Sequence, residues 1–221
     1  MMKSTFILCG TLLLAGCAIG LPTDYQGPDA GHAVIGIGAT KDTHYNSYSL
    51  LFHRIDGQAP SKAMRDIGWL SYWESMITLQ KTDYDDAAES GVVVTADLPP
   101  GRYEVFNFDV YNKGGVTVTY SAGRPFSIPF VIEPGKTVYL GNYQANAPRP
   151  DSRSGLQLRA PVTFVVENRQ DRDMALARTH PGGASLSSVQ NATPEVASIG
   201  SSQFQSRAAA QSPSPAAVLA Q

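Results

Sequence analysis

Beyond residue 17 the 221-residue chain has no cysteine: Cys9 and Cys17 are its only two. Downstream of Cys17 this excludes a disulfide framework, a thiolate metal site and a thiol nucleophile. Charge is also scarce. Charged residues make up 16% of the chain, below the roughly 25% usual in soluble domains, and 17 basic against 19 acidic residues leave a formal charge of −2. A chain so balanced has no basic footprint for nucleic acid and no polybasic patch for an anionic surface. Of the four histidines, His32, His44, His53 and His180, no two stand four residues apart as in a helical zinc site. There is no Gly-x-Ser-x-Gly elbow for a serine nucleophile. "GIGATK" (residues 36–41) lacks the spacing of a phosphate loop and reads as small residues in a packed strand. No cofactor motif and no internal repeat is present. The apolar run from Phe6 to Ala15 is about half of the roughly twenty residues that a membrane-spanning helix needs.

That run nevertheless has a use. Lys3 precedes it and small residues follow, the layout of a secretory signal. Leu14-Ala15-Gly16-Cys17 resembles the lipobox of bacterial lipoproteins. The resemblance implies cleavage between Gly16 and Cys17, diacylglycerol on the Cys17 sulfur and acylation of the new amine. Three acyl chains exceed the two signals needed for stable anchoring. Ala18 stands where an aspartate would favour retention in the inner membrane, so the resemblance points to the outer membrane, on its periplasmic face or at the cell surface. The membrane, reached through the anchor, is then the first partner. Cys9 falls inside the discarded segment.

Residues 18–30 read as a tether, with an extended reach of about 40 Å at roughly 3.3 Å per residue. From Gly31 to about Val166 the pattern is that of strands. "YNSYSLLFHRI" sets Tyr48, Leu50 and Phe52 on one face and Ser49, Leu51 and His53 on the other. "LSYWESMITL" sets Trp73, Ile77 and Leu79 together, "VTVTY" alternates, and "APVTFVVEN" aligns Val162, Phe164 and Val166. Two Pro-Gly turns, Pro99-Pro100-Gly101 and Glu133-Pro134-Gly135-Lys136, read as hairpin turns, the first a type II turn with Gly101 at positive φ. Short strands punctuated in this way indicate an all-β fold, an antiparallel β-sandwich of seven to eight strands. One helix is expected after Asn168, which can cap it, with Arg169 and Asp173 spaced for a surface ion pair and Pro181-Gly182-Gly183 as its stop. The domain therefore spans 31–182. Residues 183–221, mostly Ser, Ala, Gln and Pro, read as a disordered tail.

"DLPPGRYEV" resembles the turn and strand of prealbumin-like sandwiches, which include the carboxypeptidase regulatory-like domains; Leu98, Pro100, Gly101 and Tyr103 carry the match. With "FVIEPGKTVYLGNY" and "VVENRQDRDMALARTHPG", the chain resembles a set of uncharacterised Gram-negative lipoproteins with this sandwich. The resemblance implies a lipid-anchored fold and no particular activity, because such sandwiches host many roles.

The acidic stretch "TDYDDAAE", with Asp83, Asp85, Asp86 and Glu89, has oxygens enough for calcium. Ala88 and Val94 break the EF-hand pattern, which leaves a solvated acidic loop. Trp69 and Tyr72, if exposed beside a sheet edge, could stack on a sugar ring or anchor a protein. The sequence therefore points to a non-catalytic structural or protein-interaction lipoprotein of the cell envelope. Its alternatives are a glycan or small-ligand binder using Trp69 and Tyr72, and a hydrolase with a dispersed site.

Overall fold

The computed structural model describes residues 21–43, 47–56, 66–73, 81–111, 120–147 and 162–210. Two β-sheets pack face to face as a sandwich. In chain order the strands are β1 (Gly31–Thr40), β2 (Ser47–Arg54), β3 (Ile67–Trp73), β4 (Tyr84–Asp85), β5 (Glu89–Leu98) and β6 (Gly101–Tyr111). They continue as β7 (Tyr120–Ser121), β8 (Ile128–Ile132), β9 (Thr137–Asn146), β10 (Thr163–Glu167), β11 (Val189–Asn191) and β12 (Phe204–Gln205). The helices are α1 (Gln170–Ala177), α2 (Val196–Ile199) and α3 (Arg207–Ala210). One sheet has seven strands, in the order β12-β10-β9-β1-β5-β4 with β11 also on β9; the other has five, β3-β2-β6-β7 with β8 also on β6.

The expected sandwich is present, but it is neither purely antiparallel nor limited to seven or eight strands. The β1–β9, β9–β11 and β10–β12 pairs are parallel. The reason lies in the two Pro-Gly turns. Each joins strands of different sheets, β5 to β6 and β8 to β9, so each is an arch across the core and not a hairpin. Reaching β9 by an arch lets it lie parallel to β1. Gly101 is not at positive φ, so the type II reading of that turn does not hold; the glycine at positive φ is Gly135 of the second turn, at +65°. At Gly101 a Cβ would stand 2.6 Å from Asp56 Oδ2 and 2.8 Å from Arg54 Nε, the ends of two solvent-exposed side chains.

Alternation places the core. Tyr48, Leu50 and Phe52 point inward from β2, as do Ala33, Ile35 and Ile37 from β1, and Phe164 and Val166 from β10. Two bulges switch that alternation. In β9 the inward residues are Val138 and Leu140, then Tyr143 and Ala145; Gly141, at φ +105°, takes up the extra residue. At that point the pairing with β1 shifts register, and the outer neighbour of β9 changes from β11 to β10. In β6 the inward residues are Tyr103 and Val105, then Phe108 and Val110. The shift opposite Leu51 and Phe52 leaves Phe106 unpaired, and it stacks on His53 with centroids 4.3 Å apart. Among the described residues β8 pairs with β6 alone, and it carries Pro129, which has no N–H to donate to a further strand.

The C-terminal region departs most from expectation. Residues 183–210 are folded onto the sandwich. β11 and β12 extend the seven-stranded sheet, and Leu186, Ile199 and Phe204 are buried. Phe204 is 3% exposed, with its centroid 4.8 Å from Phe126 and 6.0 Å from Phe164. A few large apolar residues, widely spaced in a Ser/Ala-rich segment, offset its ordering entropy; composition averages them away. The tether also differs from expectation. From Leu21 onward it is held against the domain, with Leu21 N–H donating to Ile67 O at 2.7 Å and Tyr25 N–H to Asp97 O at 3.0 Å. The signal residues, including Gly16 and Cys17, His44 and nearly all of "VTVTY" lie outside the described residues.

Phe204→Ala is expected to lower the unfolding free energy in urea by roughly 3–5 kcal/mol. An unpacked tail would leave the midpoint unchanged.

Candidate functional site

Chemistry-bearing side chains gather on the outer face of the seven-stranded sheet, where α1 lies across β5, β1 and β9. Val34, Val93 and Tyr139 from the strands meet Met174 and Ala177 from the helix and Leu186 beyond it in a second, small apolar cluster. Beside it the floor is glycine. A Cβ at Gly36 would fall 1.9 Å from Asn142 Nδ2 and 2.4 Å from Asp173 Oδ2; one at Gly91 would fall 2.3 Å from the Tyr84 hydroxyl. The small residues of "GIGATK" thus clear space for a buried polar cluster, consistent with the packed-strand reading.

Asp173, 0% exposed, is its centre. Its Oδ2 accepts from the Tyr139 hydroxyl at 2.7 Å and from Asn142 Nδ2 at 3.0 Å, and its Oδ1 from Arg172 Nε at 2.8 Å. Gln144 Nε2 donates to Asn142 Oδ1 at 2.7 Å and to the Tyr84 hydroxyl at 2.5 Å. The Arg172 guanidinium lies over the Tyr84 ring, 4.0 Å from its centroid. The expected surface pair of Arg169 with Asp173 does not form. Asp173 faces the sheet, and Arg169 binds Glu89 and Glu167 instead. The N-cap position of α1 is Arg169, without a side-chain cap, and not Asn168 as expected; Asn168 stands one residue earlier, its Oδ1 accepting from Gln170 N–H at 3.1 Å.

Glu89 and Glu167 form the second half of the cluster. Glu89, 3% exposed, is bound by Arg169 and by Arg207 at 3.1 Å, with Arg172 3.6 Å away. Glu167 is bound by Arg169 at 2.7 Å and by Arg207 through both Nε and Nη2. Arg207 therefore ties the C-terminal segment to β5 and β10 together. Charges balance: Arg169, Arg172 and Arg207 face Glu89, Glu167 and Asp173.

These surroundings drive titration away from neutral pH. Burial pushes the Tyr84 phenol up, and burial with the adjacent Asp173 carboxylate pushes that of Tyr139 up. Burial alone raises Tyr143. At Glu167 burial acts upward but is outweighed by the hydrogen bonds and charges of Arg207 and Arg169, which hold its carboxyl below the usual range. The hydrogen bond to Glu167 raises Arg207.

The acidic stretch is likewise absorbed into the structure. Asp83 accepts from Val93 N–H at 2.6 Å and meets His180 at 2.8 Å; Asp85 pairs with Lys41; Asp86 caps the backbone of Ala88 and Glu89. Among the described residues no cluster of three or more His, Cys, Asp or Glu could hold a metal ion. His32 is paired with Asp97 at 2.7 Å. His53, Glu104 and Ser127 adjoin, but Glu104 is the middle member, receiving His53 at 2.7 Å and the Ser127 hydroxyl. A hydrolytic triad needs the imidazole next to the hydroxyl. Of the aromatic candidates, Tyr72 points into the core, 2% exposed, its ring 6.1 Å from that of Tyr48. Trp69 is half-buried on the opposite face of β3. The two cannot form one stacking surface, because residues three apart on a strand face opposite ways.

The arginine–carboxylate cluster itself was not foreseen from sequence. Its members stand at 89, 167, 169, 172, 173 and 207, and only the fold unites them; the signal within reach was "ENRQDRD", dense in charge for this chain. No family model, curated protein or solved structure matches the chain.

Removing Asp173 strands three donors, so Asp173→Ala is expected to cost roughly 3–5 kcal/mol of unfolding free energy. Glu167 sets an acid dependence. Its folded pKa lies below the unfolded value near 4.3, so its contribution is present above that pH and lost as pH falls through the folded value. Arg207→Gln removes the strongest lowering influence. Wild type and variant should differ by roughly 1–3 kcal/mol at neutral pH and converge in urea titrations as pH falls through the lowered folded pKa of Glu167. A gap that stays constant into acid would contradict this assignment.

Proposed function

We propose that this protein is a lipid-anchored lipoprotein of the outer membrane whose sandwich is a non-catalytic structural or protein-interaction module of the envelope. The anchor is supported by Leu14-Ala15-Gly16-Cys17, with Ala18 favouring the outer membrane. Support for a non-catalytic module comes from the direction of titration. Among the described residues every resolved shift moves a group away from neutrality: carboxyls downward, phenols and guanidinia upward. A carboxyl or phenol serving as general acid or base requires the opposite tuning, toward the working pH. Paired and balanced in this way, the polar cluster serves as a clasp.

Within this proposal the sandwich is prealbumin-like. Tyr103, one of the residues carrying that resemblance, is buried and donates its hydroxyl to Pro99 O at 2.8 Å, closing the arch. No helix among the described residues is long and apolar enough to cross a membrane, so attachment in this account rests on Cys17.

In-cell cross-linking with mass spectrometry, comparing the native protein with Cys17→Ser, is expected to capture one dominant envelope protein, weakened or lost without the anchor. No partner above background would contradict the interaction role.

A further inference from the structure

The chain between the proposed anchor and the domain is very short once the docked residues are subtracted. Leu21 is the first described residue, and it is already fixed: its amide donates to Ile67 O at 2.7 Å and its side chain packs partly buried against the core. The next residues continue along the end of β5. Asp97 N–H donates to Thr23 O at 2.8 Å, and Asp24 bridges Asp97 in parallel. The segment thus fills the side of the sandwich where β3, an outer strand of one sheet, adjoins β5 of the other. Four residue steps separate Cys17 from Leu21, about 14 Å at full extension at roughly 3.3–3.6 Å per residue. A freely extended 18–30 tether would allow about three times that, and with it any orientation.

Trp69 stands two residues along β3 from Ile67, the residue that holds Leu21. It is half-buried on the outward face, opposite Leu51. A tryptophan with an apolar body and one N–H donor suits the boundary between acyl chains and headgroups.

Resting on the lipid anchor at Cys17 proposed above, we infer that the β3–β5 corner of the sandwich lies against the phospholipid headgroups of the membrane that holds the protein, with Trp69 at that contact. The occupant of this surface is the bilayer, because the chain between Cys17 and Leu21 holds the corner within about 14 Å of the headgroups. The edge at β4 is then held farther out: Asp85 pairs with Ser90, seven residues from Asp97 along β5, about 23 Å at roughly 3.3 Å per residue. The polar clasp lies on the outer face of the seven-stranded sheet, away from the Trp69 face of the other sheet. The molecule would therefore present a fixed aspect to its surroundings, and would not swing on a tether.

The test uses the full-length lipidated protein in vesicles of phosphatidylethanolamine with a minority of phosphatidylglycerol, some of the lipid carrying a headgroup nitroxide. In Trp73→Phe the emission comes from Trp69 alone and should be quenched. Independently of that variant's folding, a fluorophore on Asp24→Cys should be quenched several-fold more than one on Asp85→Cys. Inserting ten Gly/Ser residues between Gly20 and Leu21 should abolish the difference while the protein stays in the membrane fraction. Equal quenching of the two labelled positions, or a Trp69 that the nitroxide does not quench in a folded variant, would overturn the orientation. Mass analysis of the N-terminal peptide separates the two claims. An unmodified Cys17 removes the anchor and the orientation with it, whereas a diacylglyceryl Cys17 with equal quenching removes the orientation alone.

Discussion

Asp173 has to be buried and fully paired at once, and the arrangement around it follows from that requirement. A carboxylate taken out of water costs several kcal/mol unless charge and hydrogen bonds replace its hydration. The replacements come from three places: Tyr139 and Asn142 on β9, and Arg172 on its own helix. Space for them exists because β1 and β5 carry glycine at Gly36, Gly38 and Gly91, where any Cβ would intrude on the polar groups or on a neighbouring backbone. The glycines give up side-chain packing, and the helix gains a place on the sheet that one ion and its partners specify.

The same logic reaches the C-terminal segment. Glu89 and Glu167 lie on strands at different positions in the sheet, and Arg169 alone would leave them incompletely neutralised. Arg207 completes the set from nearly forty residues farther along the chain. Phe204, three residues before it, enters the core through an aromatic group of Phe108, Phe126 and Phe164. Apolar burial gives this attachment its strength, and the arginine gives it its register. β12 and β11 are two and three residues long, too short to hold by ladder bonds alone.

The strands are legible in the sequence wherever one face is buried: alternation alone groups Tyr48, Leu50 and Phe52, and Val162, Phe164 and Val166, on one face, and the structure turns that face to the core. Three features were not legible. A Pro-Gly turn reverses the chain but carries no information on whether its flanks pair or stack, so both arches resembled hairpins. Gly141 and Phe106 shift the phase within a strand, and alternation read across a bulge gives the wrong face. Average composition reads the tail as disordered, whereas Leu186, Ile199, Phe204 and Arg207 act singly to hold it. Tyr72 is the converse case. Its aromatic ring suggested binding, but its place beside Leu70 on the inward phase of β3 commits it to the core.

The segment from 183 to 210 belongs to the folded unit, fastened by Phe204 and Arg207. Residue-resolved hydrogen exchange on the full chain tests it most directly. The account predicts that the amides of Phe164, Ala192 and Phe204, which donate to Gln203, Tyr139 and Ser201 respectively, exchange as slowly as those of β1. Arg207→Gln should release Ala192 and Phe204 ahead of the core. Exchange of Ala192 and Phe204 at the rate of an unprotected chain in the wild-type protein would contradict the claim.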